Sequence, residues 1–243
     1  MRNPRIHHPG PLSPGATVAL EGEAANHVAR VLRLRPDAAV TLFDGRGGEY
    51  GAVLREVHKK VVTAEVGAFV DREAESPLPI TLTQGVSKGE RMDFTVQKAV
   101  EMGVTRIEPV FTARSVVRLE GERLERRRRH WQGVAVSACE QCGRNRVPEV
   151  ATPVALDAWL AAPPPGLCLL LHHAADTGLD ALIPPPEGVV LLIGPEGGLN
   201  AQERRAARDA GFRHLRLGPR VLRTETAAIA ALAALQERWG DLV

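Results

Sequence analysis

A glycine-rich turn near the carboxyl end of the chain is the strongest sign of a ligand site. In VVLLIGPEGGLNAQE an apolar strand is expected to end at Gly194 and a helix to begin at about Asn200. Glycine at 194, 197 and 198 permits a positive φ and lets backbone N–H and C=O groups reach a ligand. The turn is neither GxGxxG nor GxxxxGK[ST], and Glu196 would repel phosphate, which disfavours dinucleotides and nucleoside triphosphates. A carboxylate there suits a ligand with hydroxyls, an ammonium or a sulfonium; the alternative is a turn that merely joins strand to helix.

A second strand, turn and helix follow in HLRLGPRVLRTETAAIAALAALQERW. The Gly218-Pro219 turn leads to a junction that contains Arg223 and Glu225. These two charged residues either serve a ligand site or form an ordinary surface ion pair, which is common and contributes little. Thr224 or Thr226 is expected to cap the final helix. Because that helix is Ala-rich and apolar nearly all round, it fits a monomer core and a subunit contact equally.

Two adjacent histidines end a third apolar strand in GLCLLLHHAAD. Most histidines at such positions are satisfied by backbone groups. With the single CxxC formed by Cys139 and Cys142, His172 and His173 could supply four zinc ligands. Three cysteines, the third being Cys168, are an odd number that argues against a disulfide framework. Reduced, buried thiols are therefore the expectation, and no metal is expected.

Two kinds of pattern divide the chain. The first 70 or so residues alternate apolar and polar residues between turns, which predicts a small antiparallel barrel or sandwich with a short helix around Asn26 to Leu34. Asp71 to Pro79 is charged and Pro-punctuated, as a linker is. Strands then alternate with helices, which predicts an α/β domain over a parallel sheet. We expect domains at 1–72 and 73–243, with a long arginine-studded helix from about Glu122 to Cys139.

Composition excludes several classes of protein. The 243 residues are 44% hydrophobic and 25% charged, which supports a sizeable core and argues against a disordered chain. A net charge of +2 gives no strong global attraction to a polyanion. No apolar run approaches the roughly 18 residues of a membrane span, and the amino terminus lacks a secretory signal. A cytoplasmic location is the expectation.

Four motifs together resemble the RsmE family. They are GPEGG, the following LGPRVLRTETA, and the upstream SKGERMDFTVQKAVEMGV and SACEQCGRNRVPEV. That family contains S-adenosylmethionine-dependent methyltransferases of the SPOUT class, which methylate N3 of a uridine in 16S ribosomal RNA. HVARVLRLRPDAAVTLFDGRGGEYGAVL looks like the family's PUA-like RNA-binding barrel. The resemblance implies an α/β fold, with a trefoil-knotted parallel-sheet SPOUT domain after a small PUA-like β-barrel, and a homodimer.

The resemblance also implies site residues. The methyl-donor pocket maps by position to three loops: Leu171, His172, Ile193, Gly194, Pro195, Glu196, Gly197, Gly198, Leu217, Gly218, Leu222, Arg223, Thr224, Thr226 and Ala227. Methyl transfer to the uridine imide requires loss of the N3 proton and develops charge on the ring oxygens. We therefore expect Arg223 to stabilise that charge, and Glu225 to be a candidate general base.

RNA contacts are expected from arginines. Those with matching neighbourhoods, together with two polar residues, are Arg30, Arg33, Arg46, Arg114, Glu140, Gln141 and Arg144. The segment from position 114 to 129 contains seven arginines and three glutamates, but its four consecutive arginines must spread around a helix. A solvated surface helix is thus a full alternative to an RNA contact there. With nine aromatic residues in all, base stacking cannot dominate, so binding should weaken steeply with salt.

Three other functions stay open at this point. The first is a non-catalytic RNA-binding or ribosome-assembly factor that retains the fold. The second is a SPOUT methyltransferase that acts on another RNA atom, since only the family resemblance indicates uridine N3. The third, a Rossmann-like nucleotide-cofactor enzyme, is disfavoured because its glycine fingerprint is missing. The expected partner is 16S ribosomal RNA or the small subunit.

Overall fold

The structure is a computed structural model that describes residues 3–116, 119–183 and 187–242. Its contacts divide the chain into two units. The first contains Met1–Glu75 and Cys139–Val147, and the second contains Ser76–Ala138 and Pro148–Val243. The division differs from the expected single boundary after residue 72, because the segment Cys139–Val147 returns to the first unit. Nothing in the local pattern of that segment predicts the return.

The first unit is a five-stranded sheet in the described part of the chain. Its order is β1-β3-β4-β5-β2, in which β1 pairs with β3 in parallel and the other pairs are antiparallel. The strands are β1 (Arg5–His7), β2 (Thr17–Glu21), β3 (Ala39–Phe43), β4 (Glu49–Val57) and β5 (Val61–Val70). Alternating apolar residues such as Val62, Ala64 and Val66 form one buried face, as the pattern predicts.

The short helix of the first unit begins earlier than expected. Helix α1 spans Gly22–Asn26, and a π-helical turn follows at His27–Val31. The predicted stretch from Asn26 to Leu34 is therefore wrong at both ends. Ala25 and Val28 are fully buried against the sheet, so packing of these two residues fixes the position of the helical segment.

The returning segment is held by a buried arginine. Arg5, which is 5% exposed, donates to the Glu49 carboxylate, to Asn145 Oδ1, and to the backbone oxygen of Arg144 at 3.2 Å. Burial alone would raise the pKa of the Glu49 carboxyl, but the guanidinium groups of Arg5 and Arg72 outweigh burial and lower it. The contribution of this pair to stability is therefore present above the unfolded pKa of Glu49 and is lost as the pH falls through its lowered pKa.

The second unit is a seven-stranded parallel sheet within the described ranges. Its order is β12-β10-β11-β6-β7-β8, and β9 also pairs with β7. The strands are β6 (Ile80–Gly85), β7 (Arg106–Phe111), β8 (Glu149–Val150), β9 (Val154–Ala155), β10 (Leu167–Leu171), β11 (Val189–Ile193) and β12 (Arg213–Leu215). All five residues of β11 are buried, so its continuous apolar run reflects a central strand covered on both faces. The predicted α/β class with a parallel sheet is confirmed.

Five helices connect or flank these strands in the described residues: α2 (Glu90–Glu101), α3 (Gly121–Cys142), α4 (Leu156–Leu160), α5 (Ala201–Asp209) and α6 (Thr224–Trp239). The start of α5 is confirmed, because Asn200 and Glu203 form the predicted capping box. The predicted threonine cap of α6 is wrong, since Arg223 is the N-cap residue and no side chain caps the helix. No helix in the described ranges is both long enough and apolar enough to cross a membrane.

Replacing Arg5 with Met should destabilise the first unit by about 1–3 kcal/mol, because Asn145 Oδ1 and the Arg144 oxygen would lose a donor and the Glu49 carboxylate would keep only the weaker contact with Arg72. Tryptophan fluorescence would not report on the first unit, because all three tryptophans lie in the second unit. Hydrogen exchange of the β4 amides therefore measures the effect. Arg55→Met is the control: Arg55 pairs with Glu65 on an exposed surface, and its loss should leave the exchange of β4 unchanged. Equal exchange in the two variants would contradict the assignment.

Candidate functional site

A cavity of about 490 Å³ lies in the second unit, at the carboxyl ends of β10 and β11. This edge is where ligands of parallel α/β sheets bind, and the volume is within the range of small-molecule pockets. Most of the lining comes from the ends of β10 and β11, from the three loops that follow β10, β11 and β12, and from the start of α6; single arginines from α2, from the segment after β7 and from α5 complete it. Its residues are Arg91, Arg114, Leu170, Leu171, His172, His173, Ile193, Gly194, Pro195, Glu196, Gly197, Gly198, Leu199, Arg204, Leu217, Arg220, Val221, Leu222, Arg223, Thr224, Glu225 and Ala227.

The glycine loop after β11 is a tight turn that packs against the end of β6. The N–H of Gly198 donates to the oxygen of Pro195 at 2.8 Å, and Gly198 has a φ of 65°. A Cβ atom at Gly194 would lie 3.0 Å from the backbone carbon of Gly198, and one at Gly85 would lie 2.5 Å from the nitrogen of Pro195. The fold therefore requires glycine at 198 for its positive φ, and at 194 and 85 because the backbone of another residue lies too close for a side chain.

Glu196 is tied to the segment that begins α2. Its Oε1 accepts hydrogen bonds from the N–H of Lys88 at 3.0 Å and from Nη1 of Arg91 at 2.9 Å. Burial would raise the pKa of this carboxyl, but the hydrogen bonds from backbone N–H groups and from Arg91 outweigh burial and lower it. Glu196 thus holds the glycine loop in place as a carboxylate; it also lines the cavity, and its contact with a ligand stays a prediction.

The start of α6 is joined to the glycine loop by a buried threonine. Oγ1 of Thr224 donates to the oxygen of Gly194 at 2.6 Å and accepts from Nε2 of Gln84 at 2.9 Å. Gln84 is fully buried at the end of β6 and was missed by sequence reasoning. An amide side chain next to the glycine that ends β6 was the available signal. The threonine expected to cap a helix therefore clamps two segments of the site together.

Arg223 and Glu225 both line the cavity and do not pair with each other. Both residues lie in the described range, and no ion pair joins them, so the surface-pair interpretation is wrong. Arg223 is exposed, whereas Oε2 of Glu225 is buried and has no hydrogen-bond partner. An unpaired carboxylate oxygen beside a cavity is costly unless a ligand or water meets it. These two groups are therefore available for chemistry.

A cluster of three histidine rings lies at the β10 side of the cavity. The ring centroids of His172 and His173 are 4.9 Å apart, and those of His172 and His214 are 5.6 Å apart. Burial, followed by the charge of Arg204 and the neighbouring histidines, lowers the pKa of His172. Its ring is neutral at pH 7, and its buried Nδ1 has no protein partner. His214 was missed because it lies on a separate strand.

The residues expected to form the donor pocket converge on this cavity. All of them except Gly218 and Thr226 belong to the lining. Arg114, expected to contact RNA, also lines it, and its Nη1 donates to the oxygen of Gly197 at 2.8 Å. Three further arginines that the sequence analysis did not single out line the same cavity: Arg91, Arg204 and Arg220. Arg220 lies within the quoted LGPRVLRTETA motif, which was the signal available for it.

The other residues expected to contact RNA lie in the first unit. Arg30, Arg33, Arg46 and Gln141 are exposed there. Glu140 accepts a hydrogen bond from the N–H of His7 at 3.0 Å, and burial raises the pKa of its carboxyl.

Arg144 is 4% exposed and donates from Nε to Glu75 at 2.9 Å. This interior ion pair gives Arg144 a structural role, in contrast to the expected contact with substrate.

The CxxC and the two adjacent histidines belong to different units. Cys139 and Cys142 belong to the first unit, whereas His172 and His173 belong to the second. Burial raises the pKa of the Cys139 thiol to about 12, so the thiol stays protonated at pH 7. Among the described residues, no group of three or more His, Cys, Asp or Glu side chains is arranged to hold a metal ion.

Comparisons with known proteins identify the family. An RNA methyltransferase domain model matches residues 74–236, and an RNA methyltransferase PUA domain model matches residues 20–67. Ribosomal RNA small subunit methyltransferase E of Buchnera aphidicola (strain APS) is 32% identical over 239 residues, covering 98% of this chain and 94% of that protein. The chain belongs to the RsmE family of RNA methyltransferases. The second unit and its cavity are therefore the methyltransferase part, and the first unit contains the PUA-like part.

Solved structures agree with this assignment. Ribosomal RNA small subunit methyltransferase E from Neisseria gonorrhoeae, bound to S-adenosyl methionine, has a TM-score of 0.95 and 44% identity, with 100% of each chain covered. The structure of a Legionella pneumophila protein in complex with the cofactor SAM has a TM-score of 0.96 and 43% identity, also with full coverage of both chains. The predicted fold class of a SPOUT domain with a PUA-like barrel is confirmed at the level of the α/β and PUA-like architecture. The trefoil knot stays a prediction.

Replacing Thr224 with Val should lower the free energy of unfolding of the second unit by about 1–3 kcal/mol, because the buried Gly194 oxygen and the Gln84 amide would each lose a partner. Urea unfolding followed by tryptophan fluorescence measures this, since all three tryptophans lie in the second unit. Thr226→Val is the matched control: Thr226 is exposed on the same helix, and the change should stay within about 0.5 kcal/mol. Equal losses would show that the Thr224 hydroxyl does not clamp the loop.

Proposed function

We propose that this enzyme uses S-adenosylmethionine to methylate N3 of a uridine in small-subunit (16S) ribosomal RNA. The observation that carries the proposal is that two groups of opposite charge line one cavity without forming an ion pair with each other. They are the exposed guanidinium of Arg223 and the buried, unpartnered Oε2 of Glu225. The bound cofactor in the two solved relatives and the shared RsmE name support the choice of donor and substrate.

The cavity lining fits S-adenosylmethionine. Its apolar wall, formed by Leu171, Ile193, Leu217, Leu222 and Ala227, suits an adenine ring.

The glycine loop lines the same cavity with its backbone, although the oxygens of Gly194 and Gly197 already accept from Thr224 and Arg114. The unpartnered Nδ1 of His172 is a further hydrogen-bonding group at this wall. These residues would hold the donor, which supplies a methyl group activated by its positively charged sulfur.

The chain's own residues prepare the acceptor. The uridine imide must lose its N3 proton, because the protonated nitrogen has no free lone pair for attack. We assign that proton to Oε2 of Glu225, and the proposal is supported by the burial of this oxygen without a hydrogen-bond partner. Negative charge then spreads onto the flanking ring oxygens, and the guanidinium of Arg223 stabilises it. Holding both reactants in one cavity also aligns donor carbon and acceptor nitrogen.

The charge around the cavity favours the ionised imide. Arg91, Arg114, Arg204, Arg220 and Arg223 line the wall with two carboxylates, those of Glu196 and Glu225. Arg91 neutralises Glu196 at 2.9 Å, so the remaining guanidinium groups give the cavity an excess of positive charge. That excess lowers the cost of removing a proton from a neutral base and attracts the phosphates that flank it.

Partners and location complete the proposal. We place Arg30, Arg33 and Arg46 of the first unit against RNA phosphates, because all three are exposed. A homodimer is supported by exposed apolar side chains in the second unit: Val221, on the cavity wall, is 75% exposed, and Phe94, on α2, is 43% exposed.

A fully active monomer in solution would overturn the dimer. We propose a cytoplasmic location because ribosomal subunits assemble there, and a reaction that needs no metal.

The function is tested by identifying the product. Small subunits that lack the modification are incubated with methyl-labelled S-adenosylmethionine and the enzyme, and the digested RNA is analysed by mass spectrometry. Labelled 3-methyluridine is the expected nucleoside. A different labelled nucleoside would reassign the target atom, and donor binding without incorporation would indicate a non-catalytic assembly factor.

Replacing Arg223 with Ala should lower turnover by about 10²-fold or more, while the donor dissociation constant changes far less, because the guanidinium acts on charge that develops during reaction. Single-turnover kinetics and calorimetry with S-adenosylmethionine measure the two quantities. Arg216→Ala is the control, since Arg216 is exposed in the same unit and does not line the cavity. Equal loss of turnover and donor binding, or no loss, would reject this role.

Replacing Glu225 with Gln should lower turnover by about 10²–10⁴-fold near pH 7, because the imide proton would lose its acceptor. The activity that remains should rise with pH, since hydroxide ionises more of the uracil in solution. The pH dependence of single-turnover rates for the variant and the wild type measures this. Parallel pH profiles with unequal rates would assign Glu225 a positioning role instead.

A further inference from the structure

The arginine-rich helix α3 has one strongly basic face. Arg123, Arg126 and Arg127 are exposed and recur at the i, i+3, i+4 spacing that places side chains on the same side of a helix. Arg129 is also exposed and lies beside them. The buried side carries Trp131, which is 2% exposed, with Ala135 and Ala138. Trp131 follows Arg127 by four residues, so Arg127 lies at the edge of the exposed side. The four consecutive arginines therefore spread around the helix, as the sequence predicts: Arg128 is half-buried, whereas Arg126, Arg127 and Arg129 lie on a broad exposed side that also carries Glu122.

Ion pairing separates these arginines from their neighbour. Arg128 is half-buried, and its Nε donates to both carboxylate oxygens of Glu125 at 3.0 and 3.1 Å. Arg123, Arg126, Arg127 and Arg129 make no ion pair with any carboxylate in the described ranges. Arg118, another arginine of this region, lies outside the described residues. Within the described ranges the four exposed guanidinium groups thus form no ion pair, although the charge of Arg129, after that of Arg128, also helps to lower the pKa of the Glu125 carboxyl.

We propose that this basic face, defined as Arg123, Arg126, Arg127 and Arg129, binds the sugar-phosphate backbone of the ribosomal RNA substrate away from the reacting base. The inference rests on the proposed function, since it names a second contact surface for the same RNA. Four guanidinium groups form this face, and the ring of the neighbouring His130 is in contact with the Asp93 carboxylate at 2.8 Å, so phosphate contacts suit it better than stacking on aromatic side chains. Forked guanidinium groups match phosphate oxygens.

The spacing fits consecutive phosphates. From Arg123 to Arg129 the helix rises about 9 Å at 1.5 Å per residue. Phosphates of one strand follow each other at about 3.4 Å along the axis of a B-form DNA helix and somewhat more closely in the A-form helix of RNA, so the face spans about three of them. Long, flexible side chains allow the four groups to meet such a row without a rigid pocket. An RNA backbone therefore matches the face in both charge and length.

The test compares two variants that lose the same charge. In the first, Arg123→Gln, Arg126→Gln, Arg127→Gln and Arg129→Gln are combined. In the matched control, Arg205→Gln, Arg208→Gln, Arg213→Gln and Arg216→Gln remove four exposed arginines from α5, β12 and the residue that follows β12 in the same unit, none of which lines the cavity. Binding to deproteinised small-subunit rRNA is measured across a range of salt concentrations, and calorimetry measures S-adenosylmethionine binding.

The face variant should bind the RNA at least about 10-fold more weakly near 0.1 M salt, and its plot of log affinity against log salt should be shallower by about 2 to 3. Its KM for RNA should rise while kcat at saturating RNA and donor affinity stay as in the wild type, because a remote backbone contact contributes equally to ground and transition states. The control should keep at least the greater part of the wild-type affinity and salt slope.

Other outcomes overturn the inference or the function separately. A face variant that binds rRNA like the wild type, or a control that loses as much, removes the basic face as an RNA contact while methylation stands. Weakened binding to intact subunits but not to deproteinised rRNA would assign the face to a ribosomal protein and also overturn the inference. A wild type that binds rRNA through this face but incorporates no methyl group would overturn the proposed function alone.

Discussion

The close approach of three chain segments around the Gly194 carbonyl is the constraint on which the rest of the site depends. The hydroxyl of Thr224 bonds this oxygen and the amide of Gln84, so the ends of β6, β11 and the start of α6 meet at one buried point. Gly85 leaves no room for a side chain against Pro195. With these segments fixed, Arg223 and Glu225, which flank Thr224 in the chain, both lie on the cavity wall. The Thr224 hydroxyl, which joins these segments, thereby positions Arg223 and Glu225, the two residues proposed to act in catalysis.

Electrostatics around the cavity follows from which charges are already neutralised. Glu196 is paired with Arg91, so it contributes little free negative charge to the wall. Glu225 has a buried oxygen without a partner, and Arg223 makes no ion pair with it. An excess of guanidinium groups opposes a cationic donor but favours an ionised base and the RNA phosphates. The balance suggests that donor binding relies on the apolar wall and backbone groups, whereas charge is directed to the acceptor.

Several arginines of similar sequence character have different roles in the structure. Arg5 and Arg144 are buried in ion pairs within the first unit, where they hold the returning segment Cys139–Val147. Arg128 pairs along its own helix, while Arg126 next to it is exposed and without an ion pair in the described ranges. Burial decides between these roles. A guanidinium removed from water needs a carboxylate partner, whereas an exposed one stays hydrated and is available to bind a phosphate.

Local sequence determined the elements and the family, and tertiary contacts decided how the side chains are used. The apolar run of β11, the capping box at Asn200 and the quoted motifs are short-range patterns, so the sequence sufficed for the parallel sheet and for the loops of the cavity. The joining of Gln84 to Thr224 spans 140 residues, and the pairing of Arg144 with Glu75 spans 69. No periodicity reports contacts at such separations, because they depend on which surfaces meet when the whole chain packs.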